Sequence, residues 1–227
     1  MAAFRLAVKQ GADGVELDVW RCGTSEVVVH HDADTARTSG VARRVANTSL
    51  GELRGLDVGV WKDERFRGER IPLLAEVLEG LPGATVNVEL KSTGIPDLEL
   101  ARAVARVIRD ARAEDRCIVS SFDYAILAAF RVAAPGLASG VLFAADQRWR
   151  ARELVGTRLL RPRAVHPEAA LVTPERARGW ARRGLAVNAW TVDAPEEVER
   201  LCGLGAAAVI TNRPAVARAA VHKATFR

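Results

Sequence analysis

The stretch GVELDVWRCGTSEVVVHHD, residues 14–32, sets two acids one residue apart on an apolar run and then two histidines ahead of a third acid. An extended chain alternates its side chains between faces, so Glu16 and Asp18 share one side while Val15, Leu17 and Val19 share the other. Close carboxylates repel, and one of them is driven to keep its proton unless a cation sits between them. A hard divalent metal is the chemical remedy. A strand whose outer face meets water is the structural alternative, and the rest of the chain has to decide between the two.

Outward from this stretch, strand-like and helix-like segments alternate, which argues for a parallel sheet with crossover helices. The strands read from the sequence are 12–19, 26–30, 84–90, 117–122, 139–145, 163–167, 185–192 and 207–212. Each is short and rich in Val, Ile or Ala, as expected when both faces of a sheet are covered. Helical patterns fall at 98–114, 123–133, 173–184, 194–205 and 214–222, and the chain opens on a helix, AAFRLAVKQGAD, that runs straight into the acidic strand. Residues 32–76 break the rhythm: they are polar, carry Gly and Pro, and hold one short helix signal near SLGELRGL. An insertion of this length is usually functional, and in a (βα)8 barrel the loops that follow strands build the active-site face. With EVVVH as a hairpin partner, seven core strands remain, one short of a closed barrel. No low-complexity linker divides the chain, so residues 1–227 are expected to form one domain.

Composition narrows the function classes. With 49% hydrophobic and 27% charged residues, the 227-residue chain has the make-up of an ordinary globular protein. Its net charge of +5 comes from arginines dispersed among acids, and the densest pairs, Arg43-Arg44 and Arg182-Arg183, lack interleaved aromatics. Nucleic acid is therefore not an expected partner. A mild positive field would favour an anionic substrate. Cys22, Cys117 and Cys202 lie far apart, which argues against a disulfide framework or a zinc site. The first residues have no signal-peptide layout and no apolar run reaches the length of a membrane span, so a cytoplasmic location without membrane insertion is expected.

A second constellation lies in VNVELKS, where Asn87, Glu89 and Lys91 alternate onto one face of the strand after the insertion. Polar groups on a strand otherwise built of valine need a partner or a ligand. A plain Glu89–Lys91 salt bridge is one reading and a site at the strand's C-terminal end is the other. Of the adjacent histidines only one can face the site from a regular strand, which leaves His30 as a surface residue. His166, near another strand end, is a candidate substrate contact. Trp61 and Trp180 fit packing as well as function.

GADGVELDV, VVVHHDADTARTSG, LGELRGLDVGVW, GERIPLLAEVL, VNVELK, SSFD, VNAWTVD and GAAAVITNRP follow one another in the order and spacing of the glycerophosphodiester phosphodiesterase family, which this chain resembles from residue 3 to about 215. The resemblance implies a TIM-type (βα)8 barrel of the phospholipase C-like phosphodiesterase kind. It also implies hydrolysis of small-molecule glycerophosphodiesters to glycerol 3-phosphate and an alcohol with a divalent cation, Mg²⁺ or Ca²⁺. Matched residue by residue, Glu16, Asp18 and Glu89 take the positions of the family's metal ligands and His31 that of a catalytic histidine. Lys91 takes that of the lysine near the phosphate, and Phe122 and Trp190 those of aromatics lining the substrate cavity. These roles make chemical sense: a cation and a lysine offset charge building up on the phosphate oxygens, and a histidine moves the proton that the alcohol needs.

One departure stands out. The family's His-Arg-Gly at the end of its first strand, and the Glu-Asn pair after it, have no counterpart here. On this reading the barrel lacks its first strand, one catalytic histidine and a phosphate-binding arginine, and near-inactivity, lower stability and two unpaired strand edges are the expected consequences. Two alternatives follow: a non-catalytic relic that binds metal or glycerol phosphate, and a related phosphodiesterase acting on lysophospholipids or phosphoinositides.

Overall fold

The structure, a computed structural model, describes residues 1–146 and 149–225. Its elements run α1 (Ala2–Lys9), β1 (Gly14–Arg21), β2 (Val27–Val29), α2 (Ala36–Ser39), α3 (Leu50–Gly55), α4 (Leu74–Gly80), β3 (Thr85–Leu90), α5 (Leu98–Asp110) and β4 (Cys117–Ser121). They continue with α6 (Tyr124–Ala133), β5 (Ala138–Phe143), α7 (Trp149–Leu159), β6 (Ala164–Pro167), α8 (Pro174–Ala181), β7 (Ala186–Ala189), α9 (Pro195–Gly203), β8 (Ala208–Val209) and α10 (Pro214–Thr225).

The eight strands form one sheet in the order β2-β1-β3-β4-β5-β6-β7-β8, with β2 antiparallel to β1 and every other pair parallel. Side-chain ends start several crossover helices. The Asp97 carboxylate accepts from the backbone N–H of Glu99 and Leu100 at the start of α5, and Asp123 does the same for Ala125 and Ile126 in α6. The outer, helix-facing side of the strands is apolar. Leu17, Val88 and Val119 pack with the stripes of α4, α5 and α6, and Val141, Val165 and Val187 with Trp180 of α8 and Leu201 of α9.

The inner side is different. The sheet curls tightly enough that Asn87 on β3 comes within 3.5 Å of His166 on β6, across a polar lumen. Gly140 on β5 is dictated by that approach, because a Cβ there would lie 2.3 Å from His166 Nε2. The seven parallel strands and their helices give the TIM-type arrangement expected, with no ladder between β8 and β1 among the described residues. At the base of that opening Arg218 of α10 pairs with Asp13, just before β1, at 3.1 Å.

The insertion folds against the hairpin rather than trailing in solvent. Val45, Leu53 and Ile71 bury a small core with Trp20 of β1, Cys22 just beyond it, and Val28 of β2. The Asp57 carboxylate gathers the backbone N–H groups of Gly59, Val60 and Gly68, and these bonds hold its pKa down at about 2. A helix appears that the sequence pattern does not announce, α7. Among its described side chains the buried positions are Gly156 and Thr157, while Leu154, Val155 and Leu159 face outward, so these residues form no apolar stripe.

Candidate functional site

The parallel register of β1 and β3 sets Asp18 beside Glu89 and Glu16 beside Asn87. All four side chains point into the lumen, near the C-terminal ends of their strands, the end where barrels of this type carry their sites. One oxygen from each of Glu16, Asp18 and Glu89 lies within 4.8 Å of the other two. The valine-rich alternate positions are what permit this, since they anchor both strands in the helix layer while the acids pay no packing role on that side.

The electrostatics match the crowding. Burial, then the charges of Asp18 and Glu89, push the Glu16 carboxyl up to about 8. Burial raises Glu89 as well. Lys91, the first residue beyond β3, donates to Asp18 Oδ1 at 3.0 Å and to Glu89 Oε1 at 2.8 Å. Burial alone would lower its pKa, but the two carboxylates outweigh it and the pKa is raised. Glu16 gains nothing from the lysine's hydrogen bonds: its Oε1 is buried with no partner. A buried, unpartnered carboxylate oxygen beside two more hard oxygen donors suits a divalent cation, and the three residues fit such an ion.

His31 and His30 reverse the expectation about which is enclosed. His30 is buried, not a surface residue, and its Nε2 stands 3.0 Å from the Asp34 carbonyl oxygen. Burial lowers its pKa. The reason lies in where β2 stops: Val29 is its last residue, so the histidines sit on a turn and strict alternation no longer applies. His31 is 66% exposed, with Nδ1 2.7 Å from Asp32 Oδ1. Arg37 Nε of α2 donates to Asp32 Oδ2 at 2.6 Å and holds that carboxylate at a pKa of about 2. The guanidinium in turn lies over the ring of Trp61, which projects from the insertion. A positive charge on His31 would oppose only weakly the burial that raises Glu89.

His166 is placed otherwise than a substrate contact would be. It is 0% exposed, with Asn188 Nδ2 at 3.1 Å from Nε2 and Asn87 Nδ2 at 3.5 Å from Nδ1. Burial lowers its pKa to about 4, so it is neutral and enclosed, and contributes through its carbonyl oxygen, which accepts from Trp190 Nε1 at 2.8 Å. Trp190 meets Phe122 edge-on, ring centroids 5.7 Å apart. The structure thus brings Glu16, Asp18, Glu89 and Lys91 together, holds His31 against Asp32, pairs the two aromatics, and encloses His166 behind Trp190. Three residues at the site escape the sequence reading: Arg37, Ser120, whose hydroxyl donates to Asn87 Oδ1 at 3.0 Å, and Asn188. Asn188 of β7 and Trp190, the residue just beyond it, are two apart, a spacing that signals a shared face.

Known proteins are similar to this chain in sequence and fold. The family model for the glycerophosphoryl diester phosphodiesterase family matches residues 1–216. A glycerophosphodiester phosphodiesterase of Caldanaerobacter subterraneus subsp. tengcongensis is 34% identical over 220 residues, which cover 94% of this chain and 88% of that one. Among solved structures, an Oleispira antarctica phosphodiesterase in complex with the product sn-glycerol-3-phosphate superposes with a TM-score of 0.88 at 28% identity, over 97% of this chain and 90% of that one. A Silicibacter pomeroyi protein described as a putative glycerophosphoryl diester phosphodiesterase gives 0.84 at 27% identity, over 97% and 86%.

Proposed function

The chain belongs to the glycerophosphoryl diester phosphodiesterase family, and from that membership we propose that it hydrolyses glycerophosphodiesters to glycerol 3-phosphate and an alcohol, with Mg²⁺ or Ca²⁺ held by Glu16, Asp18 and Glu89. The observation that carries the metal assignment is the buried, unpartnered Glu16 Oε1 beside two further carboxylates. Hard oxygen donors favour these ions over zinc.

A divalent cation bound there supplies positive charge to a phosphate oxygen, which lowers the barrier to attack on an anionic diester. The chain's own side chains act around that charge. Lys91, at the mouth of the acid cluster, binds the phosphate and stabilises charge that grows on its oxygens. Asp32 engages His31 Nδ1, and Arg37 fixes Asp32 from the far side, so the imidazole is oriented with Nε2 free to hand over or receive the proton that the departing alcohol needs. Phe122 and Trp190 offer an apolar wall for the carbon end of a small substrate. His166 acts indirectly, by fixing Trp190.

The test is release of glycerol 3-phosphate from glycerophosphocholine by the full chain. Release should require Mg²⁺ or Ca²⁺, stop with EDTA, and fall at least about 10²-fold in Glu89→Gln, the scale of a lost electrostatic contact to the reacting group. Undiminished release in EDTA, or in Glu89→Gln, would remove the metal role from these acids.

A further inference from the structure

Lys91 occupies a place that its phosphate role does not explain. Its ammonium is bonded to two of the three carboxylates in the acid cluster, at 3.0 Å from Asp18 and 2.8 Å from Glu89. A divalent cation drawing on the same oxygens would compete with Nζ for their lone pairs, and the two positive charges would repel. The lysine is also placed to leave. It follows the last residue of β3, its side chain is 19% exposed, and its stem of four carbons carries rotatable bonds.

We propose that Lys91 is a tethered counter-cation of the acid cluster, which an incoming metal displaces and which is thereby released to pair with the substrate phosphate. The proposal rests on the assignment of Glu16, Asp18 and Glu89 as metal ligands. Lys91 bridges Asp18 and Glu89 while no metal is bound, and its one positive charge offsets part of their mutual repulsion. Metal entry moves the ammonium from carboxylate to phosphate without leaving it unpaired at either stage. Metal and phosphate binding then strengthen each other through one side chain, and the coupling is reciprocal.

The experiment is calorimetric titration of the full chain with Mg²⁺ alone, and then with Mg²⁺ in the presence of sn-glycerol 3-phosphate, in the parent protein, Lys91→Met and Lys91→Arg. Melting in EDTA provides the fold check. Lys91→Met should bind Mg²⁺ about tenfold tighter or better, a difference of about 1.4 kcal/mol. It should melt lower in EDTA and lose the mutual enhancement of Mg²⁺ and glycerol 3-phosphate. Lys91→Arg, which keeps the charge, should stay near the parent on all three measures. If Lys91→Met is too unstable to titrate, Lys91→Gln gives the same readout. Equal or weaker Mg²⁺ binding in a folded, uncharged variant overturns the proposal while leaving the metal site standing. Tight binding by Lys91→Arg also overturns it, because charge would then not be what competes. Absence of Mg²⁺ binding in every folded variant overturns the metal assignment itself, and this proposal with it.

Discussion

At the scale of single residues, the neighbouring histidines divide function from structure. His31 is exposed and keyed by Asp32 and Arg37; His30 is buried and bonded to a backbone carbonyl. His31→Ala should therefore lower kcat by about 10² to 10⁴ with little change in melting temperature, the range for loss of one general acid or base. His30→Ala should act mainly on stability, since it removes a buried hydrogen-bonded ring. Steady-state kinetics and thermal melts of the two variants check this, and the reverse pattern would exchange their roles. His31 was singled out by the family resemblance, whereas the shared face of the acids was legible from the period of two along β1 and β3. Which histidine is enclosed was not, because the answer depends on β2 ending at Val29, and short strands give no sequence mark of their last residue.

At the scale of elements, His166 is a tie between strands. It lies on β6 and meets Asn87 of β3 and Asn188 of β7, and Gly140 of β5 leaves it room. Its folded pKa of about 4 lies below the ordinary 6.5, because burial disfavours the charged ring. The unfolded chain therefore binds a proton first as pH falls. The contribution of His166 to stability is fully present above about 6.5 and is lost as pH drops from there toward 4. His166→Asn should melt lower than the parent near pH 7, and the gap between them should narrow across that window. A gap that is constant with pH would mean that the ring is not held neutral. Reading short runs rich in Val, Ile or Ala recovered every strand among the described residues, yet α7 left no trace in the sequence pattern, because the buried positions among its described side chains are Gly156 and Thr157.

At the scale of the whole molecule, an apolar layer between sheet and helices carries the fold, and a polar lumen carries the chemistry. The alternation along β1 and β3 serves both at once: Leu17 and Val88 face the helices while Glu16, Asp18 and Glu89 face inward. This is why one stretch of nineteen residues could point to architecture and site together. What the linear pattern could not give was the depth of the lumen, which depends on how far the sheet curls, and with it the enclosure of His166 and the orphaned oxygen of Glu16. The central claim is that this oxygen and its two neighbours hold a divalent cation. Its most direct test is an anomalous difference map from crystals of the full chain soaked in Mn²⁺, a surrogate that accepts the same oxygen donors as Mg²⁺. The account predicts one strong peak within about 2.0–2.6 Å of carboxylate oxygens of Glu16, Asp18 and Glu89, with the Lys91 ammonium moved off them. Soaked crystals with no peak there, and Lys91 still bonded to Asp18 and Glu89, would contradict it.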